Sequence, residues 1–266
     1  MYETRYHKAT SIEQAKSLLD SGDDAQLLAG GQTLIPTMKA RLAAPSDVID
    51  ISKIDAISGV CIEGDEVSIG AATTHSAVAA SAELRAVCPA ICDLAANIGD
   101  PAVRNRGTLG GSIANNDPAA DYPAAMLALD AVIVTDLREI AADNFFQGMF
   151  TTALDEGEII LSVRFTAPEK AAYAKFPNPA SRYAMAGVFV ATSDGVRVGV
   201  TGAGSDGAFR ASDMEAALTA SFTPEALDGI VPDTGDMLSD IHGDGAYRAN
   251  LVNVMARRAV MAAANS

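Results

Sequence analysis

Apolar residues recur at helical and strand spacings along the chain, and these spacings predict a succession of short α/β units. Residues 11–19 predict a short helix: Ser11 suits an N-cap, and Ile12, Ala15, Leu18 and Leu19 share one face. Residues 26–29 predict a brief strand that runs straight into Gly30-Gly31. Residues 33–41 suit a helical turn or short helix, and residues 48–51 a second strand. The first fifty residues therefore read helix, strand, glycine loop, helix, strand.

Further along, residues 66–71 alternate like a strand. Residues 74–80 predict one helix and residues 82–97 another, with Leu84, Val87, Cys88, Ile91 and Leu94 on one side. Residues 99–123 are rich in Gly, Asn, Asp and Pro and predict a long irregular stretch, the kind of segment that tends to carry function. A short helix at 124–129 and strands at 131–135 and 158–165 follow. Three prolines between 168 and 179 suggest a boundary around Tyr173-Ala174-Lys175-Phe176. Beyond it, residues 188–191 and 196–201 read as hairpin strands around Ser193-Asp194-Gly195, followed by helices at 212–220, 223–229 and 247–264.

Composition narrows the functional classes. The chain has 266 residues, 49% of them hydrophobic and 20% charged, which suits one large domain or two modest ones. With 19 Lys+Arg against 34 Asp+Glu the net charge is -15, so a nucleic-acid or anionic-membrane partner is not expected. The three cysteines, Cys61, Cys88 and Cys92, lack the count and spacing of a disulfide framework. Cys88 and Cys92 read as small buried residues rather than a metal pair. No apolar run reaches the about 20 residues of a membrane span, and residues 1–8 have no signal-like core, so a cytoplasmic protein is expected.

Two glycine loops carry the candidate chemistry. In Ala29-Gly30-Gly31-Gln32-Thr33 a strand enters two glycines and a hydroxyl residue before a helix-compatible stretch. Glycines admit positive φ and close approach of a diphosphate, and successive N–H groups can form an anion nest. The motif matches neither the Rossmann nor the P-loop pattern, and alone it suits an ordinary structural turn better. The second loop, Thr108-Leu109-Gly110-Gly111-Ser112, has hydroxyls on both sides, with Asp121 nine residues beyond Ser112. Acidic residues beyond a phosphate nest commonly accept from a ribose or ribityl hydroxyl. A long loop packed by its own turns remains an equal reading of this segment. No Gly-x-Ser-x-Gly elbow is present, and His7, His75 and His242 lie outside both loops in sequence. A place for an anionic cofactor without an acid–base set suits a protein whose cofactor does the chemistry.

The strings Ala29-Gly30-Gly31-Gln32-Thr33-Leu34-Ile35-Pro36 and Asn105-Arg106-Gly107-Thr108-Leu109-Gly110-Gly111-Ser112, continued by Asp117-Pro118-Ala119-Ala120-Asp121-Tyr122-Pro123, resemble the FAD-binding medium subunit of the molybdenum hydroxylases. The resemblance runs on through Gly148-Met149-Phe150, Glu158-Ile159-Ile160, Lys175-Phe176 and Arg182-Tyr183-Ala184. It implies an α+β protein. Residues 1–170 would form a vanillyl-alcohol-oxidase-type FAD-binding domain of two α/β subdomains, about 1–53 and 54–170. Residues 171–266 would form a smaller α+β C-terminal domain.

The resemblance also implies site residues. The first diphosphate loop would be Ala29, Gly30, Gly31, Gln32, Thr33 and Leu34. The second would be Thr108, Gly110, Gly111 and Ser112, with Asp121 as acidic partner. Ile98 would pack beside the isoalloxazine, with Ile160 an apolar neighbour and Lys175 a basic one. FAD would be non-covalent. The molybdenum cofactor and [2Fe-2S] clusters would lie on a large and a small partner subunit, in a dimer of heterotrimers. Electrons would pass from the clusters to FAD and on to an external acceptor. A self-contained FAD-dependent oxidase of a small molecule is the alternative.

Overall fold

The computed structural model describes residues 1–265, which build three separate sheets. The first unit contains β1 (Arg5–Lys8), α1 (Ile12–Ser21), β2 (Ala25–Leu28), α2 (Leu34–Lys39) and β3 (Asp47–Asp50). Its strands pair in the order β1-β3-β2, all parallel. The Ser11 side chain accepts from the Gln14 N–H and caps α1. Strand β1 departs from expectation. Arg5-Tyr6-His7-Lys8 lies at a sheet edge and is mostly exposed, so it shows no apolar alternation. Arg5 and His7 instead pair with Asp47 at the start of β3, at 2.7–2.8 Å.

The second unit contains β4 (Val60–Glu63), β5 (Glu66–Gly70), α3 (His75–Ala80), α4 (Ala82–Val87), α5 (Pro89–Ala96), α6 (Pro101–Arg104), α7 (Leu109–Asn115), α8 (Tyr122–Ala128), β6 (Val132–Thr135), β7 (Glu139–Ala141), α9 (Ala142–Phe145) and β8 (Ile160–Thr166). Its sheet runs β4-β5-β8-β6-β7, every neighbouring pair antiparallel. Two expectations are corrected. The helix expected over 82–97 is broken at Cys88, whose backbone leaves the helical region ahead of Pro89. Proline at the first helical position disfavours α geometry in the residue before it. The stretch 99–123, expected to be irregular, contains α6, α7 and the first turn of α8. Asp100 caps α6, Thr108 caps α7, and prolines start α6 and α8.

The third unit contains β9 (Lys170–Pro177), β10 (Ala184–Ser193), β11 (Gly195–Thr201), β12 (Phe209–Arg210), α10 (Ser212–Ala220) and α11 (Gly245–Ala263). The antiparallel order is β12-β11-β10-β9. The proline-flanked segment expected as a boundary is itself the edge strand β9. Proline is tolerated there, at the end of an edge strand. Helices α5 and α8 of the second unit cover one face of this sheet, and α10 and α11 the other. The main core therefore runs from Val67, Ile69 and Val163 through α5 and α8 to Phe189 and Ala191. Smaller cores lie behind the first sheet and between α11 and β10–β11. Lys16 on α1 pairs with Asp136, which also accepts from Ile159 N–H at 2.7 Å, and so ties the first unit to the second. No helix among the described residues is long and apolar enough to cross a membrane.

Candidate functional site

A cleft of about 610 Å³ opens between the first and second units, with Ser181, Arg182 and Tyr183 of the third at its rim. Both glycine loops line it. The first loop leaves the half-buried end of β2, turns at Gly31 with φ +70, and enters α2. That left-handed turn favours glycine, and a Cβ at Gly31 would come within 2.7 Å of Ile35 Cδ1. The backbone N–H groups of Gly30, Gly31, Gln32 and Thr33 have no acceptor among the described residues. Gln32 and Thr33 are exposed, and the loop presents a run of uncommitted donors to the cleft.

The second loop is built differently. Thr108 is buried and caps α7, its Oγ1 accepting from Gly111 N–H at 3.1 Å. Leu109 N–H donates to Thr73 O at 3.1 Å, and Gly110 N–H to Ala71 O at 2.9 Å. A Cβ at Gly110 would stand 2.5 Å from Ala71 Cβ, so this glycine is where α7 seats against the end of β5. Gly110 is buried outside the cleft, while Thr108, Gly111 and Ser112 line it.

The two loops touch. A Cβ at Gly30 would lie 2.2 Å from Arg106 O and 2.6 Å from Gly107 Cα. Beneath Gly107 sits His75, 4% exposed, whose Nε2 would be 2.6 Å from a Cβ at Gly107. Burial, with Arg104 nearby, pushes His75 down to about 4. Sequence reasoning missed His75 as a site residue. Its one signal was Thr74, a side-chain cap that starts α3.

Asp121 is buried behind the second loop, at the edge of the cleft. Its carboxylate accepts from Lys175 Nζ at 2.9–3.0 Å and from the Tyr173 hydroxyl, both on β9. Burial pushes the Asp121 carboxyl up, against the pull of Lys175 and Tyr173. Lys175 also donates to Asn97 O at 3.2 Å and thereby reaches the residue before Ile98, which lines the cleft. Ile98 O and Gly99 O both accept from Arg104 Nη1, at 3.0 and 3.1 Å.

The structure thus brings Ala29 to Leu34, Ile98, Thr108, Gly111, Ser112 and Asp121 to one cleft. Lys175 reaches it through Asp121. Ile160, at the start of β8, is 6% exposed in the main core and does not line the cleft. Sequence reasoning also left out Arg182 and Tyr183, which arrive from the third unit. A second cavity, of about 630 Å³, lies between Gln147-Gly148 and the 204–214 segment, and none of the expected site residues lines it.

Among the described residues no group of three or more His, Cys, Asp or Glu side chains could hold a metal ion. All three cysteines are free, and burial pushes the Cys88 thiol up to about 12.

The donor set suits a dinucleotide such as FAD. The cleft has the volume of a cofactor pocket, bare backbone donors on one side, and loops that allow close backbone approach. Comparison with known proteins agrees. Residues 2–168 match the family model described as the FAD binding domain in molybdopterin dehydrogenase. The carbon monoxide dehydrogenase medium chain of Hydrogenophaga pseudoflava is 34% identical, over 97% of this chain and 96% of that one. The nicotine 6-hydroxylase medium subunit of Paenarthrobacter nicotinovorans is 35% identical, with the same coverage. The solved reconstituted CO dehydrogenase from Oligotropha carboxidovorans superimposes with a TM-score of 0.90 at 35% identity, covering 98% of this chain and 97% of that one.

Proposed function

The chain belongs to the family of FAD-binding domains of molybdopterin dehydrogenases, and from that premise we propose that it is the electron-relay flavoprotein subunit of a molybdenum hydroxylase. The observation that carries the proposal is the meeting of the two glycine loops at Gly30 and Gly107, with uncommitted N–H groups on one side of the cleft. FAD held there would supply a two-electron acceptor that can be emptied one electron at a time.

In this reading Ala29, Gly30, Gly31, Gln32, Thr33 and Leu34 hold the diphosphate through backbone donors. Thr108, Gly111 and Ser112 close the opposite side, and Gly110 acts by seating α7 against Ala71. Asp121, held by Lys175 and Tyr173, keeps acceptor capacity for a sugar-chain hydroxyl. Ile98 covers the ring side of the cleft, and Ile160 supports it from the core. Residues 1–53 and 54–170 serve as the two FAD-binding subdomains and 171–266 as the C-terminal domain. The three sheets support that division, while the main core runs across the boundary between the second and third parts.

The same reading supplies partners. The named relatives are medium chains or medium subunits. By analogy this chain takes electrons from a small [2Fe-2S] subunit, beside a large molybdopterin-binding subunit, and passes them to an external acceptor. A dimer of heterotrimers in the cytoplasm is part of this reading. Substrate hydroxylation falls to the large subunit. The described residues of this chain present no metal-ligating cluster of their own.

The test is affinity purification of the tagged chain from its native source. The expected result is a complex carrying a large and a small [2Fe-2S] subunit, with flavin absorbance released on denaturation. A colourless chain that purifies alone and stays colourless with added FAD would overturn the proposal.

A further inference from the structure

Beneath the second loop lie two buried polar groups without partners. His75 lines the cleft, yet neither ring nitrogen is bonded to a protein group among the described residues, and its Nδ1 is sealed from solvent. The Tyr122 hydroxyl, on the first residue of α8, is likewise sealed and unpaired. The two rings are neighbours, with centroids 5.4 Å apart and a 45° tilt. Sealed polar groups are nearly always paired in folded proteins, so two orphans side by side call for a physical account.

The main chain ties His75 to the loop above it. Its backbone N–H donates to Gly107 O at 2.9 Å, and Thr74 forms an isolated bridge with Thr108. The nitrogen on the Gly107 side of the ring is Nε2. A neutral imidazole carries one N–H, so the ring has two possible tautomers. With the proton on Nδ1, a bare Nε2 lone pair would face the loop and repel an anion. With the proton on Nε2, that N–H lies on the loop side of the ring and is left to donate to an anion.

The geometry points to His75 as a further cofactor-contacting residue. Its Nε2–H donates to the diphosphate between the two glycine loops, with the Tyr122 ring packed beside the imidazole. This rests on the FAD reading above. The environment suits a neutral donor, because burial and the neighbouring Arg104 keep the ring uncharged near neutral pH. Arg104 is itself held by the carbonyls of Ile98 and Gly99.

The test uses the full chain, ¹⁵N-labelled at histidine and titrated with FAD. The Nε2–H tautomer is expected in the bound form, with the Nε2 resonance moving on binding. His75→Leu should weaken FAD about tenfold or more, the loss of one hydrogen bond to a charged group. His75→Gln, which keeps an N–H donor, should recover part of that loss. A bound-state Nδ1–H tautomer, or His75→Leu binding FAD as tightly as the unaltered chain, would overturn the inference. Where the leucine variant does not fold, the tautomer of the unaltered chain and the affinity of the glutamine variant decide. An unaltered chain that binds no FAD overturns the FAD reading itself and this inference with it, a result distinct from the others.

Discussion

The first glycine loop leaves the N–H groups of Gly30 to Thr33 without acceptors among the described residues, whereas the second has committed its own to Thr73, Ala71 and the Thr108 hydroxyl. The residue chemistry is alike, two adjacent glycines with a hydroxyl residue close behind, but the donors go to different places. The difference teaches that a glycine pair marks close backbone approach, and only the surrounding fold decides what approaches. At Gly30 it is the Arg106–Gly107 backbone, and at Gly31 the Ile35 side chain. At Gly110 it is the end of β5, and at Gly107 it is a histidine ring. In the proposed function the first loop is the grip, and the second is the wall it closes against.

The contrast can be broken most forcefully at Gly110. Gly110→Val would drive a side chain into Ala71, whose Cβ lies 2.5 Å from the first added atom and whose carbonyl lies 2.8 Å away. Overpacking against backbone should cost about 3 kcal/mol of folding stability. Denaturant unfolding of the FAD-free chain checks this, and unchanged stability would mean that the second loop is as open as the first.

Acid should weaken the wall next. His75 sits at about 4 in the fold, below its ordinary 6.5, so the folded state disfavours its protonation. The stability this contributes is fully present above about 6.5 and is lost as pH falls toward 4. The loss should amount to roughly 3 kcal/mol in the FAD-free chain. His75→Leu should flatten that part of the pH–stability curve. An equally steep curve in the variant would place the acid sensitivity elsewhere.

A smaller effect on folding, but a clear one on binding, is expected at Gly31. Gly31→Ala puts a Cβ on a φ +70 backbone and against Ile35. Strain of about 1 kcal/mol should re-aim the loop donors. FAD affinity should then fall several-fold while the unfolding midpoint moves little. The opposite pattern, lost stability with intact affinity, would reverse the roles assigned to the two loops.

The smallest effect is expected at Thr108. Thr108→Val removes the cap of α7 and should cost about 1 kcal/mol. A calorimetric melt reads it, and no shift would show that Gly111 N–H finds another acceptor.

Much of the fold could be read from the chain where local signals were strong. Ser11 with its apolar face announced α1, and residues 212–220 matched α10. Strand β1 was illegible because Arg5-Tyr6-His7-Lys8 is an exposed edge held by Asp47, a partner some forty residues away. The helix over 82–97 was read through Pro89 because the apolar spacing persists across the break.

The site divided in the same way. The glycine strings stand out locally, and the structure places them at one cleft. His75 gave no such signal, because Gly107 reaches it only through tertiary packing. The inward hold on Asp121 was equally hidden, since Tyr173 and Lys175 come from a strand more than fifty residues later.

The central claim is that the cleft between these loops binds FAD, and the most direct measurement is a calorimetric titration of the purified full chain with FAD, run beside Gly31→Ala. The account predicts saturable binding of one FAD per chain, weakened several-fold by the substitution. No heat of binding, or identical isotherms for the two proteins, would contradict it.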